Sequence, residues 1–467
     1  MSDWSFPTFG ELPLDPSQEE WLQLSGLVQT YLAEALSQLS EGPTLTPVAA
    51  EATLPASDDL PAFLDSLFQP GFNPAHPGFM AYIPGGGLVT SALADWLIKT
   101  MNRYGTAHFA SPKLAELEYQ VVRLFADWVG YDDQAAGVLT TGGSLAIFTA
   151  VVTARRAMLP EDFLSGVLFC SDQTHHSVLK AANLAGFSTK NVCVVASDEN
   201  FRLDLQALQT AIVGCRDAGN TPFMVVGSAG TTNTGSIDPL DQIGEICAQE
   251  GLWFHVDAAY GGAFVITRRG SDRFFNGLSR ADSITLDPHK GFFLPYGTGG
   301  ILVKDRDRLI QAHELRGDYM PELDRARAHL DPFSLSVELS REHRGLKVAL
   351  PLMLHGEQAF IDALDEKLDL TQMLYDELTA MPEIEVLHKP DLTTIAFRYR
   401  MEADLDAGNR RLLEEINAGS KVYLSGTVLD GSFALRISIL SHRTHAAEVR
   451  MVLSELRRAI STIEHDG

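Results

Sequence analysis

From about residue 85 onward, short β-branched runs that end on small or polar residues alternate with longer amphipathic stretches, and this alternation leaves few choices of fold. A strand that is followed by a helix before the next strand must cross over and lie parallel to its predecessor, so the pattern predicts a mostly parallel α/β sheet. The candidate strands are 137–140, 167–171, 192–196, 223–227, 253–257, 283–286 and 300–304, and the candidate helices include 144–158 and 240–249. In such sheets ligands bind at the carboxyl ends of the strands. Ahead of the alternation, residues 18–40 place Trp21, Leu24, Leu27, Val28, Tyr31, Leu32 and Leu36 at near-helical spacing, and Pro43, Pro47 and Pro55 make the stretch up to Pro61 a connector. After about residue 355 the texture changes to a long helix, 358–378, and the runs EIEVLH, TIAFRYR and FALRISIL. The expected organisation is an N-terminal helical arm (1–82), a large α/β domain (83–357) and a small C-terminal α+β domain (358–467).

The 467 residues are enough for two or three packed units, and 45% hydrophobic with 21% charged residues is the balance of a folded globular chain. A formal charge of −25 repels phosphate backbones and anionic membrane surfaces, so neither nucleic acid nor a membrane is expected as a partner. Cys170, Cys193, Cys215 and Cys247 form no CxxC pair and no cluster with histidines, and HExxH is absent, so no metal is expected and the thiols read as reduced. The start MSDWSFPTFGELPLDPSQEE is acidic and broken by prolines, and no run reaches ~18 apolar residues, which predicts a cytoplasmic location.

Four segments carry residue types that do chemistry. TTGGSLAIFTAVVTARRAM (140–158) is a strand end followed by two glycines, a serine and a helix. Gly142 and Gly143 let the backbone approach an anion, Ser144 can cap the helix and donate its hydroxyl, and the helix N-terminus supplies free N–H groups, which together make a phosphate cup. A plain capped turn is the structural alternative, and neither GxGxxG nor GxxxxGK[ST] is present to support a dinucleotide or ATP. A sharper rival is that Gly142-x-Ser144-x-Ala146 lies one substitution from the GxSxG elbow of serine hydrolases, with Asp257 and His289 following in hydrolase order. LWFHVDAAYGG (252–262) delivers Asp257 to the end of an apolar strand, where a carboxylate needs a cationic or N–H partner unless it merely caps a turn. SITLDPHKGFFLPYGTGG (283–300) runs a strand into Asp287-Pro288-His289-Lys290, and SDQTHHSVLKAA (171–182) places His175 and His176 at the opening of a helix. Taken singly, Lys290 reads as a surface lysine and the histidines as structural.

Together, a phosphate cup, a lysine able to form a Schiff base, a carboxylate for a ring nitrogen and an imidazole that can stack on a flat ring are the parts that pyridoxal 5′-phosphate requires. HVDAAYGGAF followed about thirty residues later by ADSITLDPHKGFFLPYGTGG, with TGGS and DQTHHS upstream in that order, resembles the pyridoxal-dependent group II amino-acid decarboxylases. That family includes the aromatic L-amino-acid, glutamate and 2,4-diaminobutyrate enzymes. The likeness runs from HPGFMAYIP (76–84) through LSREHRGLKVALPLMLHG (339–356) to ALRISILSHRT (434–444). It implies a fold-type I transferase-like chain, a homodimer with the site at the interface, and decarboxylation of an L-amino acid to its amine. Carried over by motif, the resemblance makes Lys290 the cofactor-bonding amine and His289 a phosphate neighbour, with Gly143 and Ser144 holding the phosphate. His175 stacks on the ring, Asp257 pairs with the ring nitrogen, Ala259 lies under the ring, and Thr232 in AGTTNTG (229–235) sits near the cofactor. Arg436 matches the arginine that receives the substrate carboxylate in glutamate-type members, and Tyr82, Pro84, Tyr104 and Thr106 match pocket positions.

The chain departs from the family pattern in two places. Aromatic members carry a catalytic loop tyrosine, and the matching stretch 313–342 offers Tyr319 as its phenol while Pro332-Phe333 falls near the expected register. A phenylalanine in the donor's place implies oxidative deamination to an aldehyde instead of amine release. Gly85 to Gly87 and Thr106 are smaller than their counterparts in aromatic-specific members, which implies room for a larger or more polar substrate side chain. An aromatic substrate is the first expectation, because Tyr82 and Tyr104 can flank a ring; acidic and diamino acids come next.

Overall fold

In the computed structural model, which describes residues 13–46, 59–68, 71–270, 276–313, 330–401 and 404–466, all seven expected runs are strands of one sheet. They are β1 (Ala136–Thr140), β2 (Gly166–Ser171), β3 (Val192–Val195), β4 (Thr221–Ser228), β5 (Trp253–Asp257), β6 (Ser283–Leu286) and β7 (Gly299–Val303). Their spatial order is β1-β7-β6-β5-β4-β2-β3. The run from β3 to β6 is parallel throughout, and β7 lies antiparallel between β6 and β1. Helices cover both faces, so β1, β2, β5, β6 and β7 are buried along their whole length and read as continuous apolar runs without alternation. One face packs Leu139, Phe169, Val225, Phe254 and Ile284 against the helices Pro112–Trp128 and Leu240–Glu250. The other packs Leu168, Val226 and Ile301 against Ala146, Ile147 and Ala150 of the helix Gly143–Met158.

A second, antiparallel sheet is built from β8 (Ile384–Val386), β9 (Thr394–Tyr399), β10 (Ser425–Leu429) and β11 (Ser432–Ser438) in the order β8-β9-β11-β10. Its core of Ile395, Phe397, Leu435 and Ile437 packs against Leu374 of the helix Glu357–Thr379 and Val452 of the helix Ala446–Asp466. The N-terminal helix Gln18–Ser37 is fixed at its start by a capping box, in which the Glu20 N–H donates to Ser17 Oγ and the Ser17 N–H donates to Glu20 Oε2. Its apolar residues Trp21, Leu22, Leu27, Leu32 and Leu36 stay exposed. Of the expected connector, residues 47–58 lie outside the described residues, and Leu45–Thr46 pairs with Gly71–Phe72.

A buried ionic cluster fastens the segment 339–345 to the sheet. Glu118, on the helix Pro112–Trp128, is 2% exposed; it is hydrogen-bonded by Arg341 and accepts the Arg344 N–H at 3.2 Å. The His343 ring lies 3.4 Å from the same carboxylate. Burial alone would raise the Glu118 carboxyl, but the charge of Arg341 and the surrounding donors outweigh it and hold the group below its usual range. Arg341 and Arg344 then donate to the Leu139 carbonyl at 3.2 and 3.1 Å, on the strand that leads into Gly142–Gly143. Removing one member of a buried pair strands the other, so Glu118→Ala is expected to cost about 3–5 kcal/mol in denaturant unfolding. A loss below about 1 kcal/mol would mean that the two arginines are held without it.

Candidate active site

The strands β1, β2, β4, β5 and β6 end on one edge, and the turns that follow them surround a cavity of about 350 Å³. The turn after β1 begins the helix Gly143–Met158, whose N-cap is Gly142 without any side-chain cap. Ser144 therefore does not cap the helix as its sequence position suggests; it lies in the first turn, and the uncapped N–H groups there are left for an anion. Only glycine fits beside it, since a Cβ on Gly143 would lie 2.8 Å from Asp287 Oδ2.

The turn after β2 brings His175, whose Nδ1 shares a hydrogen bond with Ser177 Oγ at 2.7 Å. Burial, reinforced by the neighbouring His176 and Lys290, pushes the imidazole down to about 4, so it is neutral at physiological pH. Asp257 ends β5 with Oδ1 accepting the Ala259 N–H at 3.1 Å; burial raises its carboxyl, and the charge of Lys290 pulls it back. Lys290 sits on the single helical turn Pro288–Gly291 after β6, with Nζ 3.1 Å from Asp287 Oδ2. His289 Nδ1 donates to the Thr298 carbonyl at 2.7 Å, just before β7.

Gly143, Ser144, His175, Thr232, Asp257, Ala259, His289 and Lys290, from five separate turns, all line this one cavity. Tyr82, Pro84, Tyr104, Thr106 and Arg436 do not line it. Tyr82 packs beside Phe72 and Phe79 at a positive φ of 56°, half-exposed. Tyr104 and Thr106 donate to the carbonyls of Leu339 and Arg341, each at 3.4 Å. Arg436 is buried on β11, where Nη1 donates to Ser425 Oγ at 3.2 Å while Nε and Nη2 have no hydrogen-bond partner among the described residues. Tyr319 lies outside the described residues, and Phe333 is in the short turn Pro332–Ser334.

Two expectations need correction. The small residues at 85 and 86 are not pocket space: a Cβ on Gly85 would collide with the His289 carbonyl oxygen, and one on Gly86 would collide with Ser441 and His442. Only Gly87 faces open space. The hydrolase triad also fails, because His289 is oriented by the Thr298 carbonyl and not by Asp257, and among the described residues Ser144 makes no hydrogen bond to a histidine. Asp287, which directly follows the apolar strand β6 much as Asp257 closes β5, also lines the cavity, although its place beside Lys290 gives it no motif of its own.

The pyridoxal-dependent decarboxylase conserved domain matches residues 46–400. The chain belongs to this family. It is 31% identical to an aromatic-L-amino-acid decarboxylase of Bacillus atrophaeus over 82% of this chain and 81% of that one. It is 27% identical to a phenylacetaldehyde synthase of Arabidopsis thaliana, over 95% and 97% of the two chains. The fold is that of the Oryza sativa TDC solved with PLP and tryptamine, with a TM-score of 0.90 at 24% identity and coverage of 97% of this chain and 100% of that one. The protein is thus a pyridoxal 5′-phosphate-dependent amino-acid decarboxylase with a fold-type I architecture. Among the described residues no helix is long and apolar enough to cross a membrane, and no group of acidic, histidine or cysteine side chains could hold a metal.

The cavity fits the cofactor. It offers uncapped helix N–H groups for a phosphate, a neutral imidazole for stacking, a buried carboxylate for a pyridinium nitrogen and one lysine. When bound, the cofactor supplies the electron sink for breaking a bond at the substrate's α-carbon.

Borohydride reduction of the cofactor-loaded protein is expected to leave a pyridoxyl group on the peptide that carries Lys290, and none in Lys290→Ala. Mass spectrometry that places the adduct on Lys180 or Lys304 would reassign the amine. Asp257→Asn should keep measurable cofactor binding but lose on the order of 10²-fold in turnover at saturating cofactor, because an amide cannot hold the ring nitrogen protonated.

Proposed function

We propose that this protein converts an aromatic L-amino acid into the corresponding amine and carbon dioxide, acting as a homodimer. The observation that carries the substrate class is the 31% identity to the Bacillus atrophaeus aromatic-L-amino-acid decarboxylase. The half-exposed ring of Tyr82, set within an aromatic group with Phe72 and Phe79, is suited to flank a planar side chain. In this reading Lys290 bonds the cofactor, Gly143, Ser144 and His289 serve the phosphate, Thr232 and Ala259 contact the ring, His175 stacks on it, and Asp257 keeps the ring nitrogen protonated. Tyr319 is the phenol that this reading assigns to deliver the proton to the former α-carbon.

The dimer is supported by an apolar surface that a lone chain leaves in water. Leu93, Leu97 and Met101 are exposed at four-residue spacing on the helix Val89–Met101, and Met353 and Leu354 are exposed on the helix Gly345–His355 that packs beside it. Tyr104 follows that helix, is partly exposed and does not line its own chain's cavity, which leaves its ring available to a partner's site in this reading, whereas Thr106 is fully buried. Leu97→Glu is expected to shift sedimentation from dimer to monomer and to depress activity with it. A fully active monomer would overturn both the dimer and the shared site.

A second reading, oxidative deamination to an aldehyde, is favoured by the likeness to the Arabidopsis thaliana phenylacetaldehyde synthase and by Phe333 near the donor's register. That reaction consumes one oxygen and one water, and releases carbon dioxide, ammonia and peroxide with the aldehyde. A product assay on a panel of aromatic, acidic and diamino acids decides the matter. Amine without peroxide from an aromatic substrate is the expected result, and Tyr319→Phe should then divert product to aldehyde. Aldehyde as the main wild-type product, moved toward amine by Phe333→Tyr, would establish the second reading.

A further inference from the structure

A neutral imidazole has two forms: its proton sits on Nδ1 or on Nε2, and the nitrogen without it is an acceptor. Burial keeps the His175 ring neutral, so one proton has to be placed. Which nitrogen carries it decides whether the cavity meets an N–H or a lone pair.

Two bonds from one residue decide it. The backbone N–H of Ser177 is directed at His175 Nδ1, with 3.4 Å between the two nitrogens. A backbone amide can only donate, so Nδ1 is the acceptor and carries no proton. The Ser177 hydroxyl lies 2.7 Å from the same nitrogen and therefore turns its own proton toward it, since an oxygen lone pair would only repel the one on Nδ1. Ser177 is 2% exposed, so water does not compete for that hydroxyl. Turning the ring over would put a carbon where both donors point and strand a buried hydroxyl. The His176 ring, with its centroid 4.1 Å away, packs against His175 and narrows the room for that rotation. At the other end of the ring, Nε2 has no hydrogen-bond partner among the described residues and is not sealed in the core, and His175 lines the cavity.

We infer that Ser177 is a positioning residue for the reaction: by donating twice to Nδ1 it keeps the proton of His175 on Nε2, so that the ring presents an N–H and not a lone pair to the carboxylate of the incoming amino acid. A lone pair in that place would repel the carboxylate. The amine product has no carboxylate, so it forgoes the bond, and the effect falls on substrate binding more than on the slow step. The inference rests on the reading of His175 as an active-site residue.

Solid-state NMR of the cofactor-loaded protein labelled with 15N-histidine reads the tautomer directly, and His175→Gln identifies the signal by its loss. The wild type is expected to show His175 protonated on Nε2 alone at about pH 7. A proton on Nδ1, or on both nitrogens, would overturn the inference without recourse to any variant. Ser177→Ala leaves only the long backbone bond, so a second signal from the Nδ1-protonated form should appear. In the same variant KM for L-tyrosine should rise about tenfold with kcat within about threefold, while affinity for tyramine stays as in the wild type. Ser177→Thr keeps a hydroxyl and should restore both spectrum and KM. An unchanged spectrum and KM in Ser177→Ala would show the hydroxyl to be idle, and a fall in kcat at unchanged KM would remove the carboxylate from the account. Two failures belong elsewhere: wild type that ignores L-tyrosine fails the aromatic reading, and the kinetics then use the amino acid that the product panel identifies. Full turnover by His175→Gln would place His175 outside the reaction, whatever the spectrum.

Discussion

Parallel strands end on the same edge of a sheet, and the chemistry of this chain depends on that constraint. Five strands stop within reach of one cavity, so turns far apart in sequence, after β1, β2, β4, β5 and β6, meet without any of them being long. The single antiparallel strand completes the arrangement. Because β7 runs the other way, it starts at the edge where its neighbours end, and its first residues reach the site from the opposite direction. The Thr298 carbonyl thereby orients His289, and Gly299 lies so close to Gly142 that a Cβ would come within 2.5 Å of its Cα. The tight pair Gly142–Gly143 thus answers to packing across strands as much as to any ligand.

Much of this was legible in the sequence for a physical reason. Strands buried on both faces must be apolar throughout, so Trp253–Asp257 and Ser283–Leu286 have the bounds that their composition implies, and the other five differ by one or two residues at their ends. β10 is not among the expected runs, because its central residues are largely exposed and it contains Gly426, so neither period nor composition marks it. The eight expected positions that line the cavity were legible because each lies in a short local motif. The contacts between Glu118 and Arg341 are not local: the partners are 223 residues apart, and nothing in either segment announces the other. Asp287 is a different case. Its signal is an acid at the end of an apolar strand, the same signal that selects Asp257, but the neighbouring Lys290 draws the reading to itself.

The site is also a study in keeping groups neutral. His175, His255 and His289 are all pushed down by burial, His255 to about 3 beneath the sheet where Ser283 and Thr285 satisfy its ring. Charge near the cavity is thereby concentrated on Asp257, Asp287 and Lys290. Such a pocket, in a chain of net charge −25, receives an anionic cofactor and an amino acid by short-range donors and shape, with the long-range field working against arrival.

The glycines at 85 to 87 have a consequence for how this part of the chain can vary. Gly85 lies against the carbonyl of His289, next to the lysine, and Arg443 donates to the carbonyls of Gly86 and Gly87, so this segment is packed on the turn that carries Lys290 and tied to the loop at 441–443. Divergence or redesign of this segment cannot proceed by growing side chains at 85 or 86, since each would first dislodge the lysine turn or the loop at 441–443. Position 87, with open space before it among the described residues and a φ of 70° that taxes any L side chain, is the one place of the three where a side chain could be added without a collision.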